Sequence, residues 1–274
     1  MSSRTTRRRF LTTSAAVAAA LTQRSVGFAS EPSPKDDETP YKLHFGQPAA
    51  TWPDALPVGN GRLGAMVFGN PSLERIQLNE ESIWDGEYRD RNNPKAGAAV
   101  PKIREMLFSG NIAEAEALAL SDMMSLPRRM PCYQTLGDLH LDFSASGITP
   151  EATPEYYRLE LNLYTAIVTT TFTHDGTRYT REVFSSFPDQ VIVVRLTASQ
   201  PGKLSFSARL ARPGPSPFPT NALASNRLSL DGEALPVNDN PGLPVKEHQV
   251  GIKFHSELFA ISTGGRIAAK DAVL

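Results

Sequence analysis

The chain has 274 residues, 40% of them hydrophobic, with 28 Lys+Arg against 29 Asp+Glu and a single cysteine. The balance turns mildly acidic once the first 29 residues are set aside, which argues against nucleic acid or an anionic membrane as partner. The lone Cys132 excludes an intrachain disulfide, and the length is enough for one large core.

The first 29 residues read as a targeting segment. Thr6-Arg7-Arg8-Arg9-Phe10-Leu11 fits the twin-arginine export pattern, and an alanine-rich apolar run follows over 10–21. That run is too short to anchor in a bilayer. Gly27, Phe28 and Ala29 place the expected cleavage after Ala29, which makes the mature protein periplasmic or extracellular and leaves it off the membrane. Five arginines and no acids leave with the segment, so 23 basic residues then face 29 acidic ones, a net charge of −6. A twin-arginine substrate folds in a reducing compartment before export, and a fold without cross-links agrees with that. Residues 30–40 read as a polar linker, and 41–274 as one domain.

From Tyr41 the chain predicts mostly short strands, at 41–45, 62–68 and 74–78. A helical interlude follows. Pro101 is expected to begin one helix, with Ile103, Met106 and Leu107 at helical spacing, and Ser109-Gly110 to end it. Asn111 is expected to cap a second helix over 112–123. Both helices should fold back over a sheet edge or face. Strands are then predicted at 136–143, 157–163, 167–174, 177–185, 190–197 and 204–210. Asp175-Gly176 is the strongest hairpin signal in the chain. The near-continuously apolar 190–197 reads as a central strand buried on both faces. Loops are predicted at 213–221 and 236–244, and a last hairpin pairs 250–261 with 266–268 across Gly264-Gly265. This pattern predicts a mainly β fold, an antiparallel β-sandwich with a short two-helix insertion. Asp271-Ala272 reads as a turn and Val273-Leu274 as the start of a further strand. The domain is therefore expected to be truncated at its C-terminal end, with an open sheet edge and poor solubility.

One motif is a decoy. Gly59-Asn60-Gly61-Arg62-Leu63-Gly64 matches G-x-G-x-x-G, with Glu80 near the place of a ribose-binding acid. The dinucleotide motif must follow a buried strand and open a helix. Here Pro53 and Pro57 argue against a preceding strand, and 65–69 reads as a strand rather than a helix. The expectation is a turn in which Asn60-Gly61 supplies positive φ.

The block 52–86 is rich in groups that handle sugars. Trp52, Trp84 and Tyr133 offer faces for stacking on pyranose C–H surfaces. Asn60, Arg62, Asn79, Gln134 and Asp138 offer fixed polar groups. The competing expectation is packing of Trp84 and Tyr133 with their polar tips bonded, and it is the favoured one. Inverting glycoside hydrolysis needs two carboxyl groups spaced to admit a water. Glu80 and Glu81 are adjacent and point to opposite faces of a strand. Asp85-Gly86 reads as a turn, and Asp138 is expected to accept backbone N–H bonds at a loop. No catalytic residue is assigned within the chain. His44, His140, His174, His248 and His255 lack metal spacing, with His140 and His255 expected on exposed faces, so no metal and no cofactor is expected.

Six runs carry a family resemblance: ALPVGNGRLGAMVFG (55–69), LNEESIWDG (78–86), NNP (92–94), YQTLGDL (133–139), YTREVF (179–184) and PDQVIVVRL (188–196). Together they resemble the N-terminal domain of glycoside hydrolase family 95, the α-L-fucosidase type, from about Tyr41 to the last residue. The resemblance implies a supersandwich-like β domain that precedes a catalytic (α/α)6 barrel absent from this chain. It implies inverting hydrolysis of terminal α-L-fucosyl residues by the full-length enzyme, with the catalytic groups in the barrel and a fucosylated glycan as its partner. The eight candidate residues would then face the barrel or lie near its substrate. The alternative is a non-catalytic carbohydrate-binding β-sandwich, and a weaker one is a purely structural scaffold.

Overall fold

The computed structural model describes residues 41–84, 90–126, 128, 132–214, 218–234 and 251–274. The expected signal peptide and linker, the Asp85-Gly86 turn, the 236–244 loop and His248 lie outside the described residues. The rest is an antiparallel β-sandwich with a two-helix insertion, as the alternating pattern predicted.

Among the described residues thirteen strands form three sheets. The first runs in the order β1 (Lys42–Phe45), β6 (Glu155–Asn162), β7 (Ile167–His174), β8 (Thr177–Ser186), β9 (Val191–Ala198). The second runs β10 (Ser207–Ala211), β5 (Gly137–Asp142), β4 (Leu73–Glu80), β3 (Leu63–Val67), β2 (Leu56–Gly59). The third is β11 (Thr220–Ala224), β12 (Arg227–Ala234), β13 (Ile252–Phe259). Alternation builds the core. Val168 and Phe172 of β7, Tyr179 and Val183 of β8, and Ile76, Leu139 and Leu141 of β4 and β5 meet in one buried cluster. Leu228 and Leu230 of β12 join the same cluster, so the third sheet closes the sandwich instead of standing apart. Each fully buried Leu, Ile or Phe contributes roughly 1.5–3 kcal/mol.

The β7–β8 turn has Asp175 at φ 47° and Gly176 at φ 68°, with His174 paired to Thr177. Two consecutive positive φ values match the right-handed twist of the flanking strands, which is why Asp-Gly serves there.

A charged pair sits inside the sandwich. Glu74 of β4 is fully buried and Arg181 of β8 nearly so. Arg181 Nη1 donates to Glu74 Oε2 and, at 3.0 Å, to the Asn70 carbonyl. Glu74 Oε1 accepts from the Gly69 and Arg75 amides at 2.9 and 3.1 Å. The Arg181 guanidinium also lies 4.7 Å from the Phe143 ring centroid. The partners come from β4, the β3–β4 turn and β8, with Phe143 just past β5, so the pair ties one sheet to the other.

Several expectations are corrected. The 190–197 stretch forms β9, an edge strand of exposed and half-buried residues rather than a central one, because its sheet ends there. Pro57 does not exclude a strand: β2 contains it, on the outer edge of the second sheet, where a missing N–H costs no ladder bond. Pro101 lies inside its helix, not at its start. Helix α1 (Ala96–Phe108) begins earlier, on Ala96, Ala98 and Ala99, strong helix formers. Asn111 precedes α2 (Ile112–Asp122) without a side-chain cap bond. The two helices bury Ala99, Ile103 and Ala115 against each other, in a cluster of their own apart from the sandwich core. Thr220 and Asn221, expected in a loop, open β11, and 266–268 forms no strand. Instead Lys270 bridges to Val273, and Leu274 exchanges two backbone bonds of 2.8 and 2.9 Å with Ala208 of β10.

Candidate functional site

Six of the eight candidate residues gather at one end of the second sheet. The register Leu63↔Glu80, Gly64↔Asn79 and Leu78↔Gly137 brings the start of β3, the end of β4 and the start of β5 to one rim. Asn60 and Arg62 stand in the β2–β3 turn, where Gly61 takes φ 95° and the Asn60 amide donates to the Leu63 carbonyl at 3.0 Å. A strand follows that turn, so the G-x-G-x-x-G match is a hairpin corner with no helix start for a pyrophosphate.

The rim side chains hold backbone. Trp84 and Tyr133 form an isolated antiparallel bridge, their rings edge to face with centroids 5.1 Å apart. Trp84 Nε1 donates to the Glu81 carbonyl at 3.0 Å, and Tyr133 Oη donates to the Glu80 carbonyl at 2.8 Å. The Gln134 amide donates to the Ile83 carbonyl at 2.9 Å, and Thr135 Oγ1 to the Leu78 carbonyl at 2.8 Å. Ile83 and Leu136 anchor this segment from beneath with Ala234 of β12. Trp84 and Tyr133 nevertheless remain 38% and 40% exposed, so packing fixes their tips and leaves part of each ring open. Burial pushes the Tyr133 hydroxyl up, the Glu80 and Glu81 charges push it further, and a hydrogen bond with the Asn79 side chain pulls it back.

Asn60 is a corner brace. Its Oδ1 accepts from the Arg62 and Leu63 amides at 3.1 and 2.8 Å, and its Nδ2 donates to the Ser186 carbonyl of the other sheet at 2.8 Å. Arg62 Nε donates to Gln190 Oε1 at 2.8 Å, and its Nη1 lies 3.3 Å from Glu80 Oε1. The remaining Glu80 oxygen accepts from the Ser82 amide and hydroxyl at 2.9 and 2.6 Å.

Two candidates do not join this cluster. Trp52 is in a 3-10 turn before β2, at the opposite end of that strand from Asn60, and is 54% exposed. Asp138 is on the outer face of β5 and buried. It does not accept loop amides as expected: its Oδ1 lies 3.2 Å from Arg75 Nε, and His140 Nε2 is 4.0 Å from its other oxygen. His140 is half-buried rather than exposed. Burial holds it below the ordinary imidazole range, and neighbouring Arg209 adds to that against the pull of Asp138.

Sequence reasoning missed Arg212. Its Nε donates to the Thr135 carbonyl at 3.1 Å, Nη1 to the Glu233 carbonyl at 3.4 Å and Nη2 to Gln134 Oε1 at 2.7 Å. Phe218 and Phe254 each lie 4.7 Å from the guanidinium carbon. One planar fork thus joins the rim to the third sheet, a use of arginine that lysine cannot reproduce. No spacing motif marks Arg212. Its partners come from segments distant in sequence.

The chemistry available follows from these partners. Glu80 is paired with Arg62 and hydrogen-bonded by Ser82, and Asp138 is paired with Arg75, so neither is placed as a free acid or base facing a shared water. Among the described residues no group of three or more His, Cys, Asp or Glu side chains could hold a metal. An apolar cleft of about 380 Å³ between β2 and β6, lined by Pro57, Val58, Gly59, Leu161, Leu163 and Ala166, includes none of the candidate residues. The rim is a rigid ledge with two partly open aromatic faces.

A sequence-family profile described as "Glycosyl hydrolase family 65, N-terminal domain" matches residues 43–274. The chain is 37% identical over 246 residues to "Alpha-L-fucosidase 2" of Arabidopsis thaliana, covering 86% of this chain and 28% of that protein. It is 33% identical over 191 residues to "Probable alpha-fucosidase A" of Aspergillus niger, covering 67% of this chain and 23% of the relative. The "Probable alpha-fucosidase A" of Aspergillus oryzae is 30% identical over 155 residues, 55% of this chain and 21% of the relative. The chain therefore spans about a quarter of the length of these relatives. The profile carries the number 65 where the motifs resemble family 95. The fucosidase names of all three relatives agree with that family 95 resemblance.

Proposed function

Because the chain belongs to the family described as glycosyl hydrolase family 65, N-terminal domain, we propose that it is the N-terminal β-sandwich of an exported, inverting α-L-fucosidase-like glycoside hydrolase. In this reading the full-length enzyme removes terminal α-L-fucosyl residues from glycans, and this part supports and positions the catalytic domain without performing chemistry. The arginine pair of the leader and the apolar run behind it support export by the twin-arginine route. The observation that carries the supporting role is the state of the rim. Glu80 is held by Arg62 and Ser82, the Asn60 side chain by backbone and Gln134 Oε1 by Arg212, while the aromatic faces stay partly open for contact. Trp84, Tyr133, Asn79 and Gln134 are then the side chains that meet the catalytic domain.

The half-open Trp84–Tyr133 pair also favours a second reading, a carbohydrate-binding module in which those rings stack on sugar. Titration of the isotopically labelled chain with L-fucose, followed by amide and indole shifts, separates the two. The supporting role predicts no saturable shift at Trp84 or Tyr133 up to tens of millimolar sugar. Saturable shifts centred on those two residues would replace it with the module.

A further inference from the structure

The outer face of the third sheet carries a histidine held from both sides. His255 Nδ1 lies 2.6 Å from Asp231 Oδ1 on the neighbouring strand, and its Nε2 lies 3.2 Å from Glu257 Oε1 on its own strand. Ionised carboxylates only accept hydrogen bonds, and neutral imidazole has one N–H to donate. Only the imidazolium can satisfy both contacts, so the geometry itself is that of a charged ring. Asp231 and His255 are a direct cross-strand pair in the β12–β13 ladder. β13 is an outer strand of its sheet.

We infer that His255 is a pH-sensitive clasp that fastens the edge strand β13 to β12 when protonated and releases it when neutral. Among the described residues the groups facing it are few. From β12 come Asp231, Arg227 and Glu233. From β13 come Glu257 and Lys253, and from β11 only the uncharged Asn221. Arg227 Nη1 lies 3.6 Å from Glu257 Oε2, which turns one Glu257 oxygen away and leaves the other for the ring. Ser229 Oγ donates to Asp231 Oδ2 at 3.1 Å, so Asp231 is oriented independently of the histidine.

The sign of the effect follows. Hydrogen bonding to Asp231 and then to Glu257 holds the His255 ring above its ordinary range. Its stabilisation is fully present below the unfolded imidazole value of about 6.5 and is lost as pH rises through the raised folded value. The hydrogen bond with His255 holds Asp231 below its ordinary range, so its share is present above about 3.9 and is lost as pH falls through the folded value. The clasp is shut in mildly acidic solution and opens on the alkaline side.

Amide hydrogen exchange of the 274-residue chain, corrected for intrinsic rates at each pH, tests this. Protection of the β13 amides relative to those of β7 and β8 should fall about two- to fivefold between about pH 6 and about pH 8.5. His255→Gln should remove that dependence. A wild-type profile that does not change with pH, or one that His255→Gln reproduces, would overturn the inference. Should His255→Gln fail to fold, titration of the wild-type imidazole decides. A midpoint above about 6.5 that drops in Asp231→Asn supports the clasp, and a midpoint at or below about 6.5 refutes it.

Discussion

Glu74→Ala is expected to destabilise the domain by about 3–5 kcal/mol, because it leaves the Arg181 guanidinium charged and buried with its ionic partner gone. The Gly69 and Arg75 amides lose their acceptor as well. Removing both ions together should cost far less than the sum of the single changes. Glu74→Leu with Arg181→Met replaces two charges by apolar volume in a pocket already lined by Phe143, and such exchanges are often neutral. Urea unfolding of the two single variants and the double variant gives the coupling. A Glu74→Ala loss below about 1 kcal/mol would mean that water reaches the pair and that it does not set the sheet-to-sheet register.

Gly137→Ala is expected to cost about 3 kcal/mol. Gly137 opens β5 at φ 147°, and a Cβ there would stand 2.6 Å from the Ala211 carbonyl oxygen and 3.1 Å from Leu230 Cδ2. The oxygen belongs to a paired strand and cannot swing aside. Relief requires parting β10 from β5 and pushing on the third sheet. Gly61→Ala is the control. Its φ of 95° carries the same kind of backbone penalty, but a Cβ meets nothing within 4 Å, so the loss should stay near the 1–2 kcal/mol of a strained φ alone, as about the value for the left-handed region. Thermal unfolding of the two variants side by side shows whether close approach or φ governs. Equal losses would mean that the strand contact yields.

Most of the sandwich was legible because two-residue alternation is a local property. Strands β5 to β8 were read within one or two residues from the spacing of Leu, Val, Phe and Thr, and the Asp175-Gly176 turn from its chemistry. Errors arose where the outcome depends on what lies alongside. The run at 191–198 is as apolar as a central strand, yet whether a partner covers its far side is decided by sheet order. Pro57 was read as breaking a strand, which holds inside a sheet and not on an edge. The site was half legible. Trp84 and Asn79 converge as their shared sequence block suggested, and Tyr133, from outside that block, joins them. Trp52, in the same block, does not, because a strand separates the two ends. Arg212 was invisible, since its three acceptors and two aromatic faces come together only in the folded chain.

The supporting role depends on the chain performing no chemistry by itself. Its most direct test is release of the aryl group from an aryl α-L-fucoside by the purified chain. The account predicts no release above buffer at any protein concentration. Release that rises with protein and disappears in Glu80→Gln would contradict it.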